Sequence, residues 1–401
     1  MGGVAGTLEE ELDPRKSVIY LDNASTTPCD PRVVSYMVSI MESVFGNASS
    51  THAFGRRAKS VLDASRSRVR QALARDMGTV MFTSSASESN NLAALTLVTH
   101  TIANGRRRIL ALSTEHKSVL SPLRYWADVY SLELVLLHVD SRGVLDKDFL
   151  AAVLDDRVGA VAVQAANSET GVLQDVAHVA ACAHEIGAWC MSDVTQAVGR
   201  VPLDLVHLGV DLASFSGHKV YGPKGVGGLY LATGTPVRPL ILGGGQEYSA
   251  RAGTENVPGI AGMALAVELA VKEQGPDAER MQGLRNLIWG RLASLDGVTW
   301  NSSQAPLLPS HLSVRIEGVE AQDLMLRVRD VAVSAGSACN ALTHQPSDVL
   351  LQMGLSVKEA EQTIRVSLGR FTTQDEAIEA AKFLTKGVAK IRNTTSWRYP
   401  V

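Results

Sequence analysis

The feature that most constrains this chain is its rhythm. Through the first two thirds, short apolar runs alternate with amphipathic stretches long enough to be helices. The runs are "TVMFTS", "RRILALS", "ELVLLHV", "VGAVAVQAA", "AWCMSDV", "VDLASFS" and "GVGGLYLA". Helical spacing lies between several of them, as over Glu88 to His100 and Val176 to Ile186. Strands alternating with helices predict an α/β fold, with a mainly parallel sheet flanked by helices. A glycine-rich connection, "GGGQEYSARAGTENVPG", follows, then a helical run from Gly259 to about Gly275. Beyond Pro276 the rhythm changes to a long helix, three short strands ("HLSVRIEG", "VAVSAG", "TIRVSLG") and a terminal helix. This predicts a large α/β domain over 17–275 and a smaller α+β domain over 276–401. Residues 1–16 read as an N-terminal arm, and the segment 17–32 is placed to pack with the smaller domain.

Composition excludes several function classes. A net charge of -3 gives no electrostatic case for nucleic acid or an anionic membrane. No apolar run reaches the ~18 residues that span a bilayer. The acidic N-terminus lacks the apolar stretch of a signal peptide. The four cysteines, Cys29, Cys182, Cys190 and Cys339, are scattered and form no CxxC pair. That suits a reducing cytoplasm and predicts neither a disulfide framework nor a metal site. Cys182 and Cys190 sit in apolar company and read as core.

In open α/β sheets, ligands bind beyond the carboxyl ends of the strands. Four expected strand ends carry polar groups: "SASESNN", "TEHKS", "DVTQA" and "GHKVYG". They place Ser87, His116, Asp193, Gln196, His218 and Lys219 around one crevice. Taken singly each has a plain explanation; Ser85 to Glu88, for example, forms a helix-capping pattern. Together they match the needs of pyridoxal phosphate. Its aldehyde takes a lysine, its ring nitrogen an aspartate, and its phosphate the N–H groups of a helix start.

Nine blocks, in order, resemble the cysteine desulfurases of the NifS/IscS type, which are class V, fold-type I pyridoxal-phosphate enzymes. They are "YLDNASTTPCDPRV", "FGNASSTHAFGRRA", "FTSSASESNNLA", "TEHKSVL", "SDVTQAVGRVPLDL", "SFSGHKVYGPKGVGGLY", "RAGTENVPGIAG", "VSAGSAC" and "IRVSLGRFTT". The resemblance runs over roughly residues 17 to 395. It implies Lys219 as the Schiff-base lysine, Asp193 as the partner of the ring nitrogen, and Gln196 as a donor to the ring hydroxyl. It implies His116 stacked on the ring and helping to move protons. Ala86, Ser87, Ser216 and His218 would cradle the phosphate, with Thr254 reaching it from a neighbouring subunit of a homodimer. Arg365 would grip the substrate carboxylate with its planar fork.

Cys339 separates a desulfurase from related transaminating enzymes. Its surroundings, "SAGSACNALTHQP", read as a small, polar, mobile loop in which a thiolate attacks the substrate sulfur. The implied reaction converts L-cysteine to L-alanine, with a persulfide on Cys339 passed to a protein acceptor. Selenocysteine lyase and other C–S lyases share the scaffold and stay open as alternatives, as does a sulfur relay without catalysis. One block departs from the pattern. "ANSETG" has Ser168 where a second asparagine is expected to contact cofactor and substrate, and Asn167 is the neighbour able to compensate.

Overall fold

The computed structural model describes residues 18–336 and 345–396. Twelve strands occur among them: β1 Ile19–Tyr20, β2 Thr79–Thr83, β3 Arg108–Leu112, β4 Glu133–Leu137, β5 Val158–Ala162, β6 Trp189–Asp193, β7 Leu212–Ser216, β8 Gly227–Leu231, β9 Val298–Trp300, β10 His311–Ile316, β11 Val331–Ala332 and β12 Thr363–Ser367. Seven of them form one sheet in the order β2-β8-β7-β6-β5-β3-β4. These seven are the apolar runs expected from the sequence. Only β8 runs against the others, pairing antiparallel with both β2 and β7.

The runs are largely apolar because the sheet is covered on both faces, as parallel sheets are, although Ser192 lies within β6 and Ser214 within β7. Side chains alternate between those faces. Val80, Phe82, Leu110, Leu112 and Phe215 enter one core, whose helices include Ala53–Ala74 and Val257–Lys272. Met81, Ile109, Ala111 and Leu212 enter the opposite core, under the helices Ala86–Ala103 and Lys117–Tyr130. Cys190 is fully buried in the first of these cores, whereas Cys182 is only partly buried.

A further core gathers Leu284, Ile288, Leu312, Val314, Ile364, Val366 and Leu384. Its antiparallel sheet has the order β12-β10-β9, against the helices Gln274–Leu292 and Gln374–Ser396. Leu21 belongs to this core, and β1 pairs in parallel with β11. The strand expected from Val331 to Gly336 shortens to two residues, the length β1 offers it. Beyond them the backbone of Ser334 pairs with that of Arg365 instead. Strand β9, three residues with mixed burial, carries too short a pattern to be read from sequence. Among the described residues, no helix is long and apolar enough to cross a membrane, and no group of three metal-ligating side chains is present.

Candidate active site

Because six of the seven strands share a direction, their carboxyl ends share an edge. The turns after β2, β3, β5, β6 and β7 surround a cavity of about 270 Å³ there. Ser85, Ala86 and Ser87 enter it from the first of these turns, and His116 and Ser118 from the second. Gln164 and Ser168 follow β5; Asp193, Thr195 and Gln196 follow or end β6; His218 and Lys219 follow β7. The N-terminal segment adds Ala24 and Ser25, and β12 adds Arg365. Of the residues expected at the site, Ala86, Ser87, His116, Ser168, Asp193, Gln196, His218, Lys219 and Arg365 line this one cavity.

Lys219 sits in a single 3₁₀ turn, Gly217–Lys219, directly after β7. Its Nζ donates to the carbonyls of Ala24 and Ser25, both at 2.6 Å. Burial, and then the charges of Arg200 and Arg365, pull its pKa down from 10.5 to about 7; Asp22 and Asp193 oppose this. Arg200 is buried and bonds only neutral acceptors: Gln196, the Asn23 carbonyl at 3.2 Å and the Lys219 carbonyl at 3.3 Å. Among the described residues its charge has no close counter-ion, and after burial it is the largest influence lowering the lysine's pKa.

Asp193 ends β6. One of its oxygens accepts from Asn90 Nδ2 at 3.0 Å and the other from the Thr195 N–H at 2.9 Å. Both donors are neutral, so the carboxylate can still receive a cationic N–H. His116 caps the helix Lys117–Tyr130, its Nδ1 accepting from the Ser118 N–H at 3.1 Å. Burial, with the charges of Lys219 and Lys117, lowers its pKa against the pull of Asp193. His218 falls to about 4, chiefly through burial and then Lys219, Lys224 and Arg200, and its Nδ1 meets Thr26 Oγ1 at 3.1 Å. Gln196 Nε2 donates to the Ala24 carbonyl at 2.9 Å.

The start of the helix Ala86–Ala103 forms an anion-binding corner. Ser85 caps it by accepting from the Glu88 N–H at 3.2 Å, and Glu88 holds Ser84 and Arg251. First-turn N–H groups have no acceptors within their own helix, and the helix dipole adds positive potential there. Gly227 lets β8 approach this turn: a Cβ on it would lie 2.4 Å from the Ser85 carbonyl carbon. Ser216 Oγ and Thr195 Oγ1 are buried without a hydrogen-bond partner. A phosphate at the helix start, an aldehyde at a low-pKa amine and a cationic ring nitrogen at Asp193 match these groups. The residues present thus fit pyridoxal phosphate.

Arg365 is 2% exposed and is held by the Ser168 carbonyl at 2.9 Å, Asp22 at 2.7 Å and Ser25 Oγ at 2.6 Å. Its Nε is buried and unpartnered. Residue 168 thus contributes a backbone carbonyl that aims the guanidinium. Asn167 is not brought to this cavity. Its Oδ1 accepts from the N–H groups of Glu169 and Thr170, and its Nδ2 donates to the Thr114 carbonyl, so the amide closes its own turn. It lines a neighbouring cavity of about 350 Å³ with Lys117, Glu169 and Asp348. Ser216 lies buried next to Lys219's turn, and Thr254 lines a separate cleft with Thr83, Ser84 and Arg251. Cys339 lies outside the described residues.

Sequence reasoning assigned no part to Ala24, Ser25, Arg200, Asn90 or Ser118. A further unassigned residue is Glu115, which is buried with one oxygen bonded to the Gln164 N–H and the other free. Burial and nearby Asp193 push its carboxyl well above the usual range. The stretches "DNASTT" and "GRVPL" carried a polar signal for the first three, but nothing local to say which partner they meet.

The aminotransferase class-V family model matches residues 19–379. A cysteine desulfurase IscS of Cronobacter sakazakii is 38% identical over 384 residues, covering 94% of this chain and 94% of that protein. One of Rickettsia akari is 36% identical over 389 residues, covering 96% and 94%. A solved NifS-like protein superposes with a TM-score of 0.85 at 34% identity, over 94% of this chain and 99% of that one.

Proposed function

The chain belongs to the aminotransferase class-V family, and from that premise we propose how its residues act. It is a pyridoxal-phosphate-dependent cysteine desulfurase, which takes sulfur from L-cysteine and passes it to an acceptor. The observation that carries the residue roles is the meeting of Lys219, Asp193 and the Ala86 helix start at one cavity.

Lys219 would hold the cofactor aldehyde, and Asp193 would keep the ring nitrogen protonated. Gln196 would serve the ring hydroxyl and His116 the ring face. Ala86, Ser87, Ser216 and His218 would hold the phosphate. The bound ring supplies an electron sink for the substrate's Cα. Arg365 orients the cysteine carboxylate, and its buried, unpartnered Nε is the donor that gains an acceptor. An amine with a pKa of about 7 is half neutral near pH 7, so Lys219 Nζ takes the Cα proton of cysteine and later returns one. The substrate carbon–sulfur bond breaks as the Cys339 thiolate bonds that sulfur; the bonding pair stays with the substrate carbon, which takes up a proton to give alanine, and the sulfur remains as a persulfide on Cys339.

We also propose a homodimer in the cytoplasm, with Thr254 serving the partner's phosphate site. Thr254 stands outside its own chain's cavity. Val34, Val38, Met41, Phe45 and Phe54 form an exposed apolar surface, with Phe45 73% exposed. The nearby Ala48 and Ser49 share a cleft with Gly245, Gln246 and Tyr248 of the glycine-rich connection. An apolar surface of this kind suits a protein partner. The described cysteines are all free, as in a reducing compartment. We propose a protein as the acceptor of the sulfur.

The test is turnover of L-cysteine by three proteins. Wild type should be yellow, release alanine and carry a persulfide detectable by mass. Lys219→Ala should lose the colour and the turnover. Cys339→Ser should keep the colour and form no persulfide. Alanine release by Lys219→Ala, or normal sulfide release by Cys339→Ser, would overturn these roles.

A further inference from the structure

A chain of short hydrogen bonds runs from the proposed ring-nitrogen partner to the proposed stacking histidine. Asn90 Nδ2 donates to Asp193 Oδ2 at 3.0 Å and to Ser118 Oγ at 2.9 Å. Ser118 Oγ lies 2.7 Å from His116 Nδ1. All the polarities follow from one fixed end. A carboxylate oxygen only accepts, so the Asn90 atom facing it must be the amide nitrogen. That nitrogen has two hydrogens, one for Asp193 and one for Ser118. The Ser118 hydroxyl thus accepts from Asn90, and its single hydrogen is left for His116 Nδ1. The same Nδ1 already accepts from the Ser118 backbone N–H at 3.1 Å. Two donors converge on Nδ1, which leaves no room for a proton there.

We propose that Asn90 and Ser118 are positioning residues that keep His116 a neutral imidazole with its one proton on Nε2. Nδ1 is occupied by its own helix, so Nε2 is the nitrogen left to meet anything in the cavity. An Nε2 that carries a proton is a donor and has no lone pair with which to take one. His116 thus packs and donates a hydrogen bond, and removal of the substrate proton falls to Lys219. The arrangement is also built in rather than incidental. Asn90 is fully buried, and its second bond ties it to Asp193, so its N–H stays aimed at the Ser118 oxygen. The inference rests on the reading of His116 as the residue against the cofactor ring.

Hydrogen bonds to the neutral form of a base disfavour its charged form. Removing the Ser118 hydroxyl therefore makes protonation of His116 easier. The other charged or titratable groups around His116 stay in place in such a variant. They are Asp193, His218, Lys219 and Arg365 across the cavity, Lys117 and Arg124 on its own helix, Glu115 before it, and Glu169 and Asp348 at the neighbouring cavity.

The experiment is nitrogen NMR on the holoenzyme labelled at histidine, with the His116 signals identified by their loss in His116→Gln. Wild type should show a protonated Nε2 and an unprotonated Nδ1 at pH 8. Ser118→Ala should raise the His116 midpoint by about half to one pH unit. Ser118→Thr, which keeps the hydroxyl, should restore the wild-type value. Asn90→Ala should shift the midpoint in the same direction and add nothing in the Ser118→Ala background. A proton on Nδ1 in wild type, or an unmoved midpoint in Ser118→Ala, would overturn the proposal. Unchanged cofactor absorbance and turnover in His116→Gln, with the Nε2–H pattern seen in wild type, would sink the reading of His116 as the residue against the cofactor ring and leave the hydrogen-bond chain standing.

Discussion

Lys219 gives the prediction with the largest margin. Its amine is held at about 7 by burial and by Arg200 and Arg365, against an ordinary 10.5. At pH 7 an unperturbed lysine is neutral in about one molecule in 3,000, whereas this one is neutral in about half. Only the neutral amine captures an aldehyde. In cofactor-free protein, the rate of pyridoxal-phosphate incorporation, followed by visible absorbance, should rise tenfold per pH unit below about 6.5. It should bend near pH 7 and be flat above pH 8. Stability should follow with a definite sign. A lysine whose folded pKa is depressed destabilises fully below that pKa, and the cost is relieved as pH rises toward the unfolded value. The cofactor-free wild type should therefore gain about 1 kcal/mol of unfolding free energy per pH unit between 7 and 9, and Lys219→Met should lose that slope. Incorporation that keeps climbing tenfold per unit through pH 9 would refute the argument, as would parallel stability profiles for the two proteins.

Three further outcomes follow from the same geometry. Arg365→Lys keeps the charge but loses the fork that spans the Ser168 carbonyl, Asp22 and Ser25, so KM for cysteine should rise roughly 10- to 150-fold, more than kcat falls; an unchanged KM would remove Arg365 from substrate binding. Ser168→Asn should lower KM by up to about tenfold or leave it unchanged, since one added hydrogen bond yields at most ~1–1.5 kcal/mol; a large loss of activity would mean that the serine is fitted to its packing. Gly227→Ala puts a Cβ 2.4 Å from the Ser85 carbonyl carbon and 2.7 Å from the Ala86 nitrogen. It should cost ~1–3 kcal/mol of stability and weaken cofactor binding, read by denaturant titration and by equilibrium dialysis; unchanged cofactor affinity would place the phosphate elsewhere.

The seven strands of the large sheet were legible because each is largely apolar; six are buried along most of their length, and the edge strand β4, only partly buried, still keeps the apolar run Leu134 to Leu137. The turns that follow them were legible for the same reason: polar residues stand out sharply at the end of an apolar run, as "TEHKS" does after "RRILALS". The N-terminal share of the site had no such contrast. Lys219 is held by carbonyls 194 and 195 residues away, and backbone carbonyls leave no mark on a sequence. Asn167 was legible as a polar residue at the right strand end, but its amide turns back onto its own loop, a choice made by the Glu169 and Thr170 N–H groups.

Arg200 illustrates the deeper limit. In sequence it is one basic residue in "AVGRVPL", indistinguishable from a solvated one. In the fold it is buried, lies against the Lys219 carbonyl and has only neutral acceptors, so it lowers the affinity of Lys219 for protons. A cation without a counter-ion is costly inside a protein, and the Gln196 and backbone acceptors offset only part of that cost. The chemistry supplies a reason to keep it: an amine must be neutral to hold an aldehyde and to take a proton from carbon. The feature that weakens the fold at this point is thus the one that brings Lys219 into its working range, and only the three-dimensional arrangement joins the two.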